Sequence, residues 1–332
     1  MQCEKMGLKN GESFFLAMDL CGFLPTIELV GRCNLRCISC NMGLPGAVRG
    51  GFMSPETFRE LLGKMTKEIP FMNSCALFLW GEPLLHPQLP EIVNITHEHG
   101  IACEISSNLN VSEGHIKDLI KVGPDLLSVP CSGIGANYET THTKGKWHLL
   151  RDNLYALRQY IDMYKVDTTV RIFYHMYKNN LENDFDVVKG IAHELGFYFF
   201  PIIANIFPEK IFDLVVHKKS LPPEMKKASE LLLFSIQDQL DHAYRNKEKF
   251  CPFRKAFPTV RWDLSVVSCA NMAHPILANN YMEISLSELE VIRRTVSNCD
   301  VCMANGVHRF FDVVNVSVED TNGKRVVTRE MR

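Results

Sequence analysis

Cys33-Asn34-Leu35-Arg36-Cys37-Ile38-Ser39-Cys40 is the stretch that decides how the rest of the chain reads. Three residues separate the first two cysteines and two separate the second pair. Thiolates are the preferred ligands of iron–sulfur clusters, and a compact loop lets them converge on one cluster. Three ligands on a four-iron cube leave one iron open, and an open metal position is where chemistry occurs. The preceding Ile27-Glu28-Leu29-Val30 reads as a buried strand ended by Gly31. The loop is therefore expected at the C-terminal mouth of a strand, the catalytic face of a barrel-type α/β fold. A zinc knuckle and a set of buried thiols are the other readings. Zinc sites usually pair cysteines in two separated doublets, and no second doublet or histidine lies nearby in sequence.

This spacing, directly after a strand, resembles the radical S-adenosylmethionine (SAM) superfamily. The resemblance implies a [4Fe–4S] cluster on Cys33, Cys37 and Cys40 whose open iron is chelated by SAM. It implies one-electron cleavage of SAM to a 5′-deoxyadenosyl radical that removes a hydrogen atom from substrate. It also implies an external one-electron reductant of flavodoxin or ferredoxin type.

Composition bounds the remaining possibilities. The chain has 332 residues, enough for one large α/β domain with an appendage. A net charge of −2 offers no electrostatic case for nucleic acid or an anionic membrane. Twelve cysteines without a signal peptide point to a reducing, cytoplasmic setting and to metal rather than disulfides. No apolar run approaches the length of a membrane span. Phe14, Phe15, Leu16 and Leu20 in the lead-in are expected to face the core, and Cys3 and Cys21 have no partner at ligand spacing.

After the cluster loop, Ser54 and Pro55 open a helix whose apolar face is Phe58, Leu61, Leu62 and Met65. Ala76 to Trp80 reads as a strand buried on both faces. It runs into Gly81-Glu82-Pro83, which resembles the family's Gly-Gly-Glu-Pro segment with Trp80 in place of the first glycine. Gly81 and Glu82 are thereby expected to hold the SAM ammonium group, a carboxylate meeting a cation. His86 is read equally as packing and as a substrate contact. A third strand, Ile101 to Asn108, ends in polar residues, and by resemblance Ser106 and Asn108 lie beside SAM. Cys103, in mid-strand, reads as a small core residue. A fourth strand, Leu126 to Gly133, places Ser132 where relatives contact the SAM ribose. Cys131 beside it is a candidate hydrogen-atom donor, weighed against simple packing. His142 and Lys144 follow in a polar loop. A helix is expected over Trp147–Tyr164, strands over Asp167–Tyr174 and Gly196–Ile202, and a helix over Glu182–Leu195 between them. Six β/α units fit the partial (β/α)6 TIM-like barrel of the radical SAM family, with a parallel sheet.

From Pro208 to Phe250 the period turns helical, with one helix expected from Pro222 onward. Cys251, Cys269, Cys299 and Cys302 then follow. This set resembles the Twitch extension, the shortened SPASM domain, which binds one auxiliary [4Fe–4S] cluster; Leu264 stands where a turn glycine is usual. Four thiolates match the ligands of a closed cluster, and a zinc site is the competing reading. A hairpin around Thr321-Asn322-Gly323-Lys324 is expected to pack on this module.

The expected layout is a radical SAM core over 1–207, a helical linker over 208–250 and a Twitch-like module with a C-terminal hairpin over 251–332. The expected activity is dehydrogenation or epimerisation of a small polar molecule of sugar or aminocyclitol type. Maturation of a ribosomal peptide and a non-catalytic iron–sulfur electron carrier are the alternatives.

Overall fold

The computed structural model describes residues 24–47, 49–251, 253–254, 257–296, 298–310, 315–321 and 324–330. Cys3, Phe14, Phe15, Leu16, Leu20 and Cys21 lie outside them, as do Asn322 and Gly323 of the expected turn. The apolar runs read as strands build one sheet. Its first strands are β1 (Thr26–Ile27), β2 (Ser74–Ala76) and β3 (Ala102–Ser106), joined by β4 (Leu126–Cys131), β5 (Thr169–Met176) and β6 (Tyr198–Ile203). These six pair in sequence order and all in parallel. The intervening helices are α1 (Pro55–Glu68), α2 (Leu89–Glu98), α3 (Glu113–Lys121), α4 (Gly135–Thr141), α5 (Trp147–Tyr164) and α6 (Asn183–Glu194). This alternation is the partial (β/α)6 barrel.

Local chemistry sets the boundaries. Ser54 caps α1 by accepting from Thr57 N at 3.2 Å, with Pro55 at the first helical position. β1 is shorter than the apolar run suggests, because from Leu29 onward the chain changes partner. Glu28 N donates to Val260 O at 2.8 Å, and Met53 N donates to Leu29 O at 3.0 Å. β2 also stops early, where Trp80 N turns to the Glu28 carboxylate at 3.3 Å.

The strands alternate between two environments. On β4, Leu127, Val129 and Cys131 are fully buried against the helices, while Ser128 faces the barrel lumen. On β5, Val170, Ile172 and Tyr174 face the helices, and Arg171, Phe173 and His175 face inward. Each fully buried Leu, Ile or Val of the helix side contributes about 1.5–3 kcal/mol.

The region read as one helix from Pro222 is broken. After α7 (Pro208–Val216) come α8 (Pro223–Leu231) and α9 (Ile236–Arg245). Leu232 leaves the helix to bridge Tyr177, and Ser235 caps α9 by accepting from Asp238 N at 3.0 Å. The Ser-x-x-Asp signal is present in the sequence and outweighs the apolar period.

The C-terminal cysteine region continues the core sheet. β7 (Thr259–Val260) pairs parallel with β1, and β8 (Val266–Cys269) and β9 (Met272–Ala278) extend it antiparallel. In the β7–β8 turn Leu264 takes φ +67°, the left-handed conformation a glycine would ordinarily supply. α10 (Leu286–Val296) and α11 (Cys299–Ala304) follow. The final hairpin, β10 (Asn315–Thr321) and β11 (Lys324–Glu330), forms its own two-stranded sheet. It does not dock as expected on the cysteine module. Arg325 donates to the carbonyls of Leu181 and Glu182 and pairs with Asp186, so the hairpin is held against the entry to α6. No helix among the described residues is long and apolar enough to cross a membrane.

Candidate active site at the C-terminal mouth of the sheet

The loop after β1 is fixed by backbone hydrogen bonds on both flanks. Arg36 N donates to Thr143 O at 2.8 Å, Ile38 N to Thr141 O at 3.1 Å, and Phe207 N to Ser39 O at 2.9 Å. Leu35 is buried beneath it, and Ile38 and Leu44 pack on an apolar cluster formed with α7–α9. Cys33, Cys37 and Cys40 are unbridged and half-buried. Gly43 follows so closely that a Cβ there would lie 2.1 Å from Cys37 O.

Asn108, buried, organises the rim. Its amide Nδ2 lies 3.7 Å from Cys33 Sγ and 3.0 Å from Asn34 Oδ1. Its backbone N donates to Glu82 Oε2 at 2.8 Å. Asn34 Nδ2 in turn donates to Asn110 O at 2.7 Å, and Asn153 of α5 donates to Leu109 O and Val111 O. These asparagines hold the 107–111 loop, where Leu109 has φ +50°. Asn34, Asn110 and Asn153 were not singled out by sequence; for Asn34 and Asn110 the signal was polar amides next to strand ends, and Asn153, within α5, had none.

Glu82 is 2% exposed. Leu84 N donates to its Oε1 at 3.0 Å, and burial pushes its carboxyl above the usual range. With Ser107 also bonding it, three of the carboxylate's four lone-pair sites are used, and one is left to accept from a cation. At Gly81 a Cβ would lie 1.7 Å from Val30 O, which only glycine tolerates. Ser106 is half-buried at the end of β3, and it is the neighbouring Ser107 that bonds the Glu82 carboxylate.

Three further residues named from the sequence are placed as follows. Cys131 shares the helix-facing phase of β4 with Leu127 and Val129; its thiol donates to Gly133 O at 3.4 Å, and burial pushes it up to about 12. That phase turns the thiol away from the lumen. Ser132 is 1% exposed, and its hydroxyl is bound to Thr141 Oγ1 and to His142 Nδ1 at 2.9 Å. His86 is a packing residue, with Nε2 at 2.7 Å from Met53 O and Nδ1 accepting from Gln88 N. His142 is itself buried and stacked on Tyr138 at 4.5 Å, and burial lowers it to about 3; Lys144 is exposed.

The lumen carries charges that sequence reading passed over. Glu28 meets Arg261 Nε at 3.5 Å, and Arg261 lies over the Trp80 ring. Glu104, Ser128 and Arg171 form a buried network, with Arg171 Nε donating to Ser128 Oγ at 2.9 Å and Ser128 Oγ to Glu104 Oε1 at 2.9 Å. The strict alternation of β5 was the available signal for Arg171.

Cys251, Cys269, Cys299 and Cys302 line one small cavity of about 50 Å³ with Met272 and Val307. Burial raises the thiols of Cys251 and Cys269, and that of Cys302 to about 12. Among the described residues, no three thiols of either cysteine set lie within 4.8 Å of one another. Sulfurs around one tetrahedral zinc ion sit roughly 3.8 Å apart. Thiolates suit an iron–sulfur cluster, and the four C-terminal cysteines share one cavity. Asn205, just beyond β6, has a buried Oδ1 with no hydrogen-bond partner among the described residues.

Residues 27–186 match the Radical SAM superfamily. The tungsten-containing aldehyde ferredoxin oxidoreductase cofactor-modifying protein of Pyrococcus furiosus is 23% identical over 261 residues, covering 75% of this chain and 71% of that protein. Streptococcus suis SuiB bound to precursor peptide SuiA aligns with TM-score 0.56 at 12% identity, over 86% of this chain and 71% of its own. Native anSMEcpe with bound AdoMet aligns with TM-score 0.51 at 16% identity, over 80% of this chain and 79% of its own. These likenesses show the shared fold.

Proposed function

Residues 27–186 form a domain of the Radical SAM superfamily, and from that premise we propose an oxidoreductase that dehydrogenates a small polar substrate of sugar or aminocyclitol type. The family's cofactors are a [4Fe–4S] cluster and SAM; when bound, they supply reductive SAM cleavage and hydrogen-atom abstraction. Cys33, Cys37 and Cys40 would hold the cluster, with Asn108 directed at Cys33 Sγ. Gly81, Glu82, Ser106 and Asn108 would hold SAM. Cys251, Cys269, Cys299 and Cys302 fit an auxiliary [4Fe–4S] cluster, on a region after the 208–250 linker whose strands continue the sheet of the core.

The observation that supports this substrate class is the lining of the lumen. Glu28, Arg261, Glu104, Ser128 and Arg171 place paired charges and a hydroxyl among Trp80, Phe173 and Phe200. Such walls suit a ligand rich in hydroxyl or amino groups, held by hydrogen bonds in a dry cleft. Removal of a hydrogen atom, a proton and an electron from a carbinol balances to a ketone. The helix-facing position of Cys131 argues against epimerisation through that thiol, and the second cysteine set would take the electron.

Maturation of a ribosomal peptide is the second reading, supported by the fold shared with SuiB. The test is to incubate reconstituted, reduced protein and SAM with a panel of sugars and aminocyclitols and, separately, ribosomal peptides. Substrate-dependent 5′-deoxyadenosine with a carbonyl product from the first panel supports dehydrogenation. Stimulation by peptides alone overturns it.

A further inference from the structure

A cluster of ligand-type side chains lies away from both cysteine sets. His97 is in the last turn of α2, Cys103 lies within β3, and Asp125 immediately precedes β4. All three sit toward the N-terminal end of the parallel sheet, opposite the mouth that carries Cys33. His97 Nε2 is 3.1 Å from Asp125 Oδ2, and that oxygen also accepts from Cys103 N at 2.9 Å. The ligand atoms of the three residues all lie within 4.8 Å of one another, the one such trio among the described residues. Cys75 on β2 is the register partner of Cys103, is fully buried, and lies near enough to Cys103 and Asp125 to feel their charge.

We propose that His97, Cys103 and Asp125 form a site for a divalent metal ion of the zinc type, with Cys75 adjacent to the fourth position. Bonds of about 2.0–2.3 Å to nitrogen, oxygen and sulfur place tetrahedral ligands roughly 3.3–3.8 Å apart, so a small inward movement completes the geometry. A borderline-soft ion accepts this mixture of donors, which a hard, oxygen-seeking ion does not. The site has an entry path. The side chains of His97 and Asp125 are 34% and 45% exposed, while Cys103 is buried behind them. An exposed His–Asp pair alone contributes at most about 1 kcal/mol and calls for no thiol beneath it. On binding, the Cys103 thiol proton leaves to solvent, so affinity rises with pH. The ion would tie the end of α2 to β3 and to the approach of β4. That face of a barrel serves stability rather than chemistry.

The test uses holoprotein with both clusters reconstituted, so that the cluster cysteines are already occupied by iron. The protein is equilibrated with zinc chloride in the presence of a weak chelator, and zinc and iron are measured together. One zinc per chain with unchanged iron is expected. His97→Gln and Asp125→Asn, both at the surface and tolerable to the fold, should each weaken zinc binding at least tenfold while iron stays constant. Cobalt(II) in place of zinc should give thiolate-ligand d–d absorption that Cys103→Ser removes. Zinc retained equally by wild type and both surface variants, or no zinc retained by wild type, overturns the site. None of these outcomes depends on the identity of the substrate.

Discussion

Arg261 Nε lies 3.5 Å from Glu28 Oε2, joining the turn that follows β7 to the residue that follows β1. The C-terminal region is thereby tied to the lumen wall of the core. Burial dominates at Glu28 and raises its carboxyl from 4.5 to about 7, against the opposing pull of Arg261. The folded chain then binds more protons than the unfolded chain between these pH values. Stability from this group is complete below pH 4.5 and is lost as pH rises through about 7. Wild type should lose roughly 3 kcal/mol relative to Glu28→Gln between pH 4.5 and pH 8. Urea titrations of both proteins across this range measure the difference; parallel curves would contradict it.

The amide of Asn108 bears directly on Cys33 Sγ. Hydrogen bonds to cluster sulfurs stabilise the more negative, reduced state. Asn108→Ala should lower the midpoint potential of the cluster on Cys33, Cys37 and Cys40 by on the order of 40 mV, for a bond of ~1 kcal/mol. A redox titration followed by electron paramagnetic resonance reads this; an unchanged potential with full iron content would contradict it.

Trp262 covers Gly31 and Gly50 so closely that a Cβ at either would lie 2.3 Å or 2.0 Å from its indole. Gly50→Ala should therefore expel the ring, and Trp262→Ala should remove the same contact. Each is expected to cost roughly 2–3 kcal/mol, below the usual core Trp→Ala loss because Trp262 is only half-buried. Thermal denaturation and tryptophan fluorescence report both. A Gly50→Ala protein with native stability and fluorescence would show that the indole does not occupy this seat.

The six-strand alternation and both cysteine sets were legible in the sequence because each rests on local signals. Apolar runs ended by Gly or polar residues mark strands, and cysteine spacing is explicit. The side a residue faces was not legible at strand ends. Cys131 and Ser132 are neighbours on a short segment, and only the phase set by Leu127 and Val129 sends the thiol toward the helices. Glu28 and Arg261 are 233 residues apart in sequence, and no local pattern announces their meeting. The parallel pairing of β7 with β1 has the same cause: a two-residue strand carries too little pattern to name its partner. The seat of the final hairpin turned on one long-range anchor, Arg325 at the entry to α6.

The C-terminal cysteines should separate the two halves of the chemistry. Cys269→Ala is expected to remove about four irons while leaving reductive formation of 5′-deoxyadenosine from SAM within about twofold of wild type. Substrate oxidation should fall at least a hundredfold, since the abstracted electron has no acceptor. Undiminished product formation would remove the auxiliary site from the reaction.

The most direct measurement is iron and acid-labile sulfide in anaerobically reconstituted wild type against the Cys33/Cys37/Cys40→Ala variant. About eight irons per chain falling to about four, with loss of 5′-deoxyadenosine formation, is the predicted result. About four irons falling to none would leave the C-terminal cysteines without a cluster and contradict the two-cluster account.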